Sequence, residues 1–352
     1  MSKSASGNFF EDFRLGQRIR HTTPRTLTQG DAAVYTALYG SRFCLQSSEV
    51  LAQALGYTHA PLDELLVFHT IFGKTVPDIS LNAIANLGYA EGRFFRPVYA
   101  GSTLSVTSVI IGLKENSNRE SGIVYARTEG RNEDDELVLS YVRWVMARKR
   151  DSGMPAPAAH VPELATSVAP DDLIVPHEAD FTTFFDAELS GSPELWEDYE
   201  TGEKIDHRDG VTVEEAEHML GTRLFQNTAR VHFNQFEESN GRFGRRLVYG
   251  GHIISLARAL SFNGLANAIA ILAINGGRHV NPLFAGDTVF AWSQVLEKAE
   301  LPGRKDCSAL RLRLVATKNR ACTEFPDEDA DGRYPENVIL DFDYWALMPR
   351  HS

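Results

Sequence analysis

Residues 92–101 read GRFFRPVYAG, and residues 277–286 read GRHVNPLFAG. Five of the ten positions are identical, and the offset between the two stretches is 185 residues. Farther upstream, FEDF at 10–13 and WEDY at 196–199 are each followed by glycine, isoleucine and histidine at the same spacing, with an offset of 186. Two separate matches at nearly one offset indicate that the chain is an internal duplication.

The duplication sets the predicted domain organisation. At 352 residues the chain is long enough for two compact domains. Between the matching segments, residues 151–172 are rich in Pro, Ala and Ser and lack helical or strand periodicity, which is typical of a linker. We predict an N-terminal repeat over 8–150, a linker over 151–179 and a C-terminal repeat over 180–350.

Each repeat shows the pattern of one apolar helix followed by several strands. The apolar helices are predicted at 61–74 and 250–263, each preceded by a shorter helical stretch that starts near Leu27 or Val211. Leucines at 310, 312 and 314 alternate with arginines, which predicts a half-buried antiparallel strand. In the first repeat the corresponding strand candidates are 102–112, 120–129 and 136–148. The predicted fold class is α+β, with a curved antiparallel sheet around a central helix in each repeat.

Composition narrows the possible partners. The formal net charge of −12 opposes binding to nucleic acid or to an anionic membrane surface, and no apolar run is long enough to span a bilayer. The three cysteines, Cys44, Cys307 and Cys322, are widely spaced and form neither a disulfide framework nor a metal knuckle. Neither a metalloprotease nor a phosphate-loop motif occurs. We expect a protein of the cytoplasm or of another reducing compartment.

Residues 226–232 read QNTARVH. This stretch resembles the Gly-Asp-x-Asn-Pro-x-His signature of the MaoC-like, R-specific enoyl-CoA hydratases, with His232 in register and Asn227 in the place of the Asp. The resemblance covers nearly the whole chain. It implies a double hot-dog fold, addition of water to an acyl-CoA thioester, and a short branched dicarboxylic substrate such as mesaconyl-CoA. CoA is then part of the substrate, and no separate cofactor or metal is expected. We expect the chain to form a homodimer or a larger homo-oligomer.

Comparison of the motif with the corresponding residues of the first repeat predicts that only the second repeat is catalytic. The first repeat carries Ser41 opposite Asn227 and Gln46 opposite His232, at the offset of 186. Neither side chain can act as a base near neutral pH, whereas an imidazole can. We predict that the first repeat is catalytically degenerate and supplies part of the pocket wall.

His232 is the candidate for activating water, although a histidine in such a loop can also do no more than bond the backbone. Asn227 can orient water or substrate but cannot accept a proton. The nearby Glu237 and Glu238 are better explained as a solvated helix face.

Gly250 and Gly251 are predicted to open the central helix of the second repeat. An amide at a helix amino terminus can stabilise the oxyanion of an enolate, although glycine at this place also suits a tight turn. The predicted substrate-binding residues are Asn234, Arg278 and Arg93. The two arginines occupy equivalent positions and could bind phosphate or carboxylate, or could hold a strand end.

Two other functions remain open from the sequence. A hot-dog thioesterase would use a carboxylate on the central helix, and Asp63 and Glu64 are the candidates, in the degenerate repeat. A non-catalytic acyl-CoA-binding module would explain the amide at Asn227 in place of a carboxylate.

Overall fold

The computed structural model describes residues 3–4, 6–182 and 186–351. Its strands fall into two sets of five, one in each half of the chain. The first set is β1 (Arg18–Thr26), β2 (Ala83–Phe94), β3 (Thr103–Glu115), β4 (Ser121–Arg131) and β5 (Leu137–Arg148). The second set is β6 (Lys204–Thr212), β7 (Ala270–His279), β8 (Thr288–Glu300), β9 (Cys307–Lys318) and β10 (Val338–Pro349).

All ten strands form one antiparallel sheet in the order β1-β3-β4-β5-β2-β7-β10-β9-β8-β6. The strands β6 to β10 correspond in chain order to β1 to β5. With this correspondence, the strand order is the same from either edge of the sheet. Pairing of β2 with β7, which places Ala90 opposite Gly276 and Arg93 opposite Ala273, joins the two half-sheets. The duplication in the sequence is therefore a duplication of the fold about this central strand pair.

Each half has one central helix that is almost completely buried, α4 (Glu64–Thr75) in the first half and α8 (Gly250–Leu260) in the second. The helices in chain order are α1 (Gln29–Tyr39), α2 (Cys44–Ser47), α3 (Glu49–Ala54), α4 (Glu64–Thr75), α5 (Ala187–Ser190), α6 (Glu215–Leu224), α7 (Gln235–Glu238), α8 (Gly250–Leu260) and α9 (Phe262–Leu265). In α4 residues 65–75 are all buried, and in α8 residues 251–260 are all buried. Each of these two helices packs against strands of its own half-sheet, α4 against β3 and β1, and α8 against β8 and β9. Within the described ranges, no helix has the length and apolar character needed to cross a bilayer.

A buried histidine contact is repeated in both halves. His21 on β1 bonds Ser108 of the neighbouring strand through Nε2 at 2.8 Å, and His207 on β6 bonds Ser293 in the same way at 2.8 Å. Each imidazole has a second partner on its Nδ1, Asp78 in the first half and the carbonyl of Asn263 in the second. The repeated sequence positions thus perform the same structural task in each repeat.

The segment between the repeats lies along the sheet. His160 forms an isolated antiparallel bridge with Leu113 of β3. Farther on, the Val168 carbonyl accepts a hydrogen bond from Trp345 Nε1 at 3.0 Å, and the Val168 amide donates to Asn275 at 2.8 Å. The strands lie inside the predicted repeats 8–150 and 180–350, whose limits stay a prediction.

The amino-terminal repeat also supports the loop that carries the QNTARVH motif. A side chain at Gly73 of α4 would place its Cβ 1.9 Å from the Phe225 carbonyl oxygen, so the helix and the loop pack backbone to backbone. The next residue, Lys74, donates from Nζ to Gln226 Oε1 at 2.6 Å. Since Asn227 follows directly, α4 determines where the motif begins.

We predict that Gly73→Ala moves this loop and destabilises the fold by about 1–3 kcal/mol, because neither backbone can give way to the added methyl group. Thermal and urea unfolding would measure the loss. Gly30→Ala is the matched control: Gly30 is exposed in the first turn of α1, where a Cβ meets only Thr28 Oγ1 at 3.4 Å. Equal stability of the two variants would contradict the proposed packing.

Candidate active site

A cavity of about 320 Å³ lies between the two repeats, with walls from both. It is lined from the second repeat by Asn227, His232, Tyr249, Gly250 and His279. It is lined from the first repeat by Phe72, Ser80, Asn86, Tyr89 and Arg143. Three residues predicted from the sequence, His232, Asn227 and Gly250, are therefore brought together in one site.

His232 ends a short 3-10 turn, Arg230–His232, and its ring is fixed by a single backbone contact. Nδ1 lies 2.9 Å from the Leu247 carbonyl oxygen. A carbonyl only accepts hydrogen bonds, so Nδ1 carries the proton and Nε2 is left with a free lone pair. Burial lowers the pKa of His232 to about 4, although the bond to Leu247 opposes this shift. The imidazole is therefore neutral near pH 7 and can accept a proton at Nε2.

Asn227 is buried, and its amide is oriented by the turn that it begins. Its Oδ1 accepts a hydrogen bond from the Ala229 amide at 2.9 Å. The amide nitrogen of the side chain remains as the group that can meet a ligand, and this nitrogen only donates. Asn227 can therefore hold the oxygen of a water molecule or of a substrate but cannot remove a proton.

The two glycines at the start of α8 have different surroundings. Gly250 lines the cavity, and a Cβ there would lie 2.5 Å from His279 Nε2. At Gly251 a Cβ would meet the Tyr249 ring at 2.4 Å and His69 at 2.7 Å, in the packed interior. The first amides of a helix have no acceptor within it, so the Gly250 amide is the one suited to an oxyanion in the cavity.

His279 and Tyr89 are site residues that the sequence analysis missed. His279 Nε2 lies 3.2 Å from Tyr89 Oη across the junction of β7 and β2, while its Nδ1 is buried without a hydrogen-bond partner. Burial, aided by the nearby His232, lowers the pKa of His279 to about 4. One signal was present: His279 stands where the first copy of the repeat has Phe94.

Arg143 is a charged cavity residue that the sequence analysis also missed. It lies on β5, is fully buried, and extends from the first repeat into the cavity that also holds His232. The strand alternation places it on the same face as Tyr141 and Val145. A charged residue at an apolar-face position was the available sequence signal.

The three predicted substrate-binding residues do not line the cavity. Arg93 donates to the Asp172 carbonyl at 2.8 Å and so fastens the inter-repeat segment to β2. Arg278 is exposed, forms a 3.2 Å ion pair with Glu328 and stacks on the ring of Tyr334. Asn234 caps α7 by accepting from the Glu237 amide at 3.3 Å. Their binding roles stay predictions.

The corresponding place in the first repeat is filled differently. Glu64 stands opposite Gly250 at the offset of 186 and lies 3.3 Å from the Nε2 of Gln46. Burial, reinforced by the charge of Asp63, raises the pKa of Glu64 to about 8. Asp63 caps α4 by accepting from the Leu65 amide at 2.8 Å. The central helix thus begins with a carboxyl side chain in the first repeat and with Gly250, which has no side chain, in the second.

Metal ligands do not cluster at either place. In the part of the chain that the structure describes, no group of three or more His, Cys, Asp or Glu side chains is arranged to hold a metal ion.

Comparison with known proteins identifies the family. The sequence profile of the mesaconyl-CoA hydratase family matches residues 2–324. The chain is 63% identical to a β-methylmalyl-CoA dehydratase of Chloroflexus aurantiacus, covering 100% of this chain and 99% of the relative. It is 60% identical to a mesaconyl-CoA hydratase of Cereibacter sphaeroides, covering 99% and 100%.

Solved structures give the same fold. A crystal structure of a MaoC domain protein from Chloroflexus aurantiacus superposes with a TM-score of 0.98 at 62% identity, over 100% of both chains. A Mycobacterium tuberculosis protein described as a double hotdog fold superposes with a TM-score of 0.75 at 24% identity, covering 97% of this chain and 98% of that one. The predicted double hot-dog fold is confirmed, and the chain belongs to the mesaconyl-CoA hydratase family of MaoC-like proteins.

Proposed function

We propose that the protein reversibly adds water to the double bond of mesaconyl-CoA, giving β-methylmalyl-CoA. The observation that carries this proposal is the fixed tautomer of His232, which leaves Nε2 unprotonated on a ring that lines the same cavity as the start of α8. The family of the chain supports the choice of substrate. The reaction belongs to the hydro-lyases.

In the hydration direction, His232 Nε2 takes a proton from water while the water oxygen attacks the β-carbon of the enoyl thioester. The Asn227 side-chain amide donates to that oxygen and holds the water in place. Electron density moves to the thioester oxygen, where the Gly250 amide at the helix amino terminus stabilises the enolate. The protonated His232 then gives its proton to the α-carbon, so the elements of one water molecule are added and the base is restored.

No redox step occurs in this sequence, and we propose that the enzyme uses no cofactor apart from the CoA of its substrate. Proton transfer and oxyanion stabilisation are supplied by the side chain of His232 and the backbone of Gly250. The thioesterase alternative is weaker, because Asp63 is engaged as a helix cap and Glu64 contacts Gln46.

A basic loop at the cavity fits the phosphates of CoA. Arg242 and Phe243 line the cavity, and Arg245 and Arg246 follow within three residues. Arg242 and Arg245 are exposed and, among the described residues, contact only aromatic rings, those of Phe243 and Phe284. Guanidinium groups bind phosphate in a bidentate manner. This loop is a local positive patch on a chain whose net charge is −12.

We also propose that the chain forms a homodimer or larger homo-oligomer and works in the cytoplasm. Exposed apolar side chains, such as Phe236 at 86% and Val50 at 75% exposure, support self-association. Sedimentation velocity would measure the oligomeric state.

Replacing the base tests the proposed reaction directly. We predict that His232→Gln lowers kcat for mesaconyl-CoA roughly 100- to 10,000-fold, because the amide that replaces the imidazole cannot accept a proton. The loss of enoyl-thioester absorbance measures the rate. His59→Gln, an exposed histidine of the first repeat, is the matched control and should keep full activity. Retained turnover in His232→Gln, or release of free thiol by the wild type in place of hydration, would count against a hydratase that uses this residue.

The low pKa of His232 predicts a distinctive pH profile. Hydration needs the neutral imidazole, which is present above its pKa of about 4 in the free enzyme. The ratio kcat/KM reports groups of the free enzyme, so it should stay level from pH ~8 down to pH ~5 and fall only near pH ~4. Circular dichroism at each pH verifies that the protein is folded. A decline that begins near pH ~6.5, the range of an ordinary histidine, would contradict the buried, neutral state.

The basic loop makes a separate prediction about binding. Arg242→Gln combined with Arg245→Gln should raise KM roughly 5- to 30-fold with little change in kcat, since each exposed ion pair contributes modestly. The effect should shrink as salt is added, because salt screens exposed charges. Arg20→Gln, an exposed arginine on β1, serves as the control. An unchanged KM would place the CoA phosphates elsewhere.

A further inference from the structure

Arg143 carries a positive charge into the cavity from the first repeat. It is fully buried, and no salt bridge to it exists among the described residues. An arginine stays protonated in proteins, so the interior holds a cation without an internal counter-ion. Isolated buried charges are costly, and a fold retains one where a ligand supplies the opposite charge.

The hydrogen bonds of Arg143 leave much of its guanidinium unused. Nη2 donates to Thr75 Oγ1 at 2.7 Å and to Ser80 Oγ at 3.2 Å, and the group lies 4.2 Å from the centroid of the Phe72 ring. Nε and Nη1 are buried and have no partner. The two hydroxyls and the ring hold the guanidinium in one place without neutralising it.

A second unpaired polar group lines the same cavity. Both side-chain atoms of Asn86, on β2, are buried without a hydrogen-bond partner. The unpaired N–H groups of the Arg143 guanidinium and the side-chain amide of Asn86 are groups that can bind a small planar anion. The other arginines considered for this task are engaged outside the cavity, Arg93 with Asp172 and Arg278 with Glu328.

We propose that Arg143, assisted by Asn86, binds the free carboxylate of the acyl group and thereby selects dicarboxylic over monocarboxylic enoyl-CoA thioesters. The inference rests on the proposed function. In mesaconyl-CoA the free carboxylate is attached to the carbon that takes the water. Holding that carboxylate from the first repeat fixes this carbon relative to His232 of the second repeat. The degenerate repeat then contributes specificity, while the second contributes acid-base chemistry.

Two saturated analogues isolate this contact from catalysis. 2-Methylsuccinyl-CoA and 2-methylbutyryl-CoA differ only in a carboxylate against a methyl group, and neither can be hydrated. Calorimetric titration of the wild type should show the first binding at least about 100-fold more tightly, as expected for a buried charge-assisted contact. Arg143→Met should reduce this preference to about threefold or less. Its affinity for 2-methylbutyryl-CoA should be maintained or increased, since the added side chain is apolar.

Arg20→Met, at an exposed arginine on β1, is the matched control and should keep the wild-type preference. Arg143→Lys, which keeps the charge but loses the fork, should give an intermediate preference and replaces Arg143→Met if the latter does not fold. Equal binding of the two analogues by the wild type, or an unchanged preference in a folded Arg143 variant, would overturn the inference. Failure of the wild type to hydrate mesaconyl-CoA would instead overturn the proposed function, so the two failures are distinguishable.

Discussion

The antiparallel pairing of β2 with β7 is the contact on which the rest of the site depends. It joins two five-stranded half-sheets into one and brings Tyr89 of the first repeat within 3.2 Å of His279 of the second. The same junction places α4 against the motif loop at Gly73 and directs Arg143 of β5 into the cavity that holds His232. Without this pairing each repeat would retain a helix and a sheet but half of a site. Fusion of the repeats fixes the pairing within a single chain.

Duplication allowed the two copies to specialise in physically different ways. In the second copy the central helix begins with Gly250, which lines the cavity, and the motif loop carries His232, whose Nε2 is unprotonated. In the first copy the helix begins with Glu64, whose carboxyl group contacts Gln46 and whose pKa is raised to about 8 by burial. What the first copy adds is a cation, Arg143, at a position where the site has spare donors. These unpaired buried groups are costly in the free protein, and a bound dicarboxylic thioester offsets that cost.

The fold could be predicted from the sequence because it follows from a pattern that repeats. The acid-base part of the site is a prediction that follows from a place where the pattern fails to repeat. The offset of 186 puts His232 opposite Gln46, and this asymmetry points to one catalytic half. Arg143 was missed because strand periodicity is read from apolar residues, and a charge at an inward position has no explanation until its neighbours are known. The choice of Gly250 over Gly251 could not be made either, since it depends on which side of the helix start meets His279.

We propose that one chain holds one complete site built by both repeats. The most direct measurement is the stoichiometry of binding of 2-methylsuccinyl-CoA to the purified protein by isothermal titration calorimetry. One molecule bound per chain is the expected result, because the first repeat has Gln46 and Glu64 at the positions that correspond to His232 and Gly250. Two molecules bound per chain with similar affinity would show that the first repeat has a site of its own, and would contradict the division of labour described above.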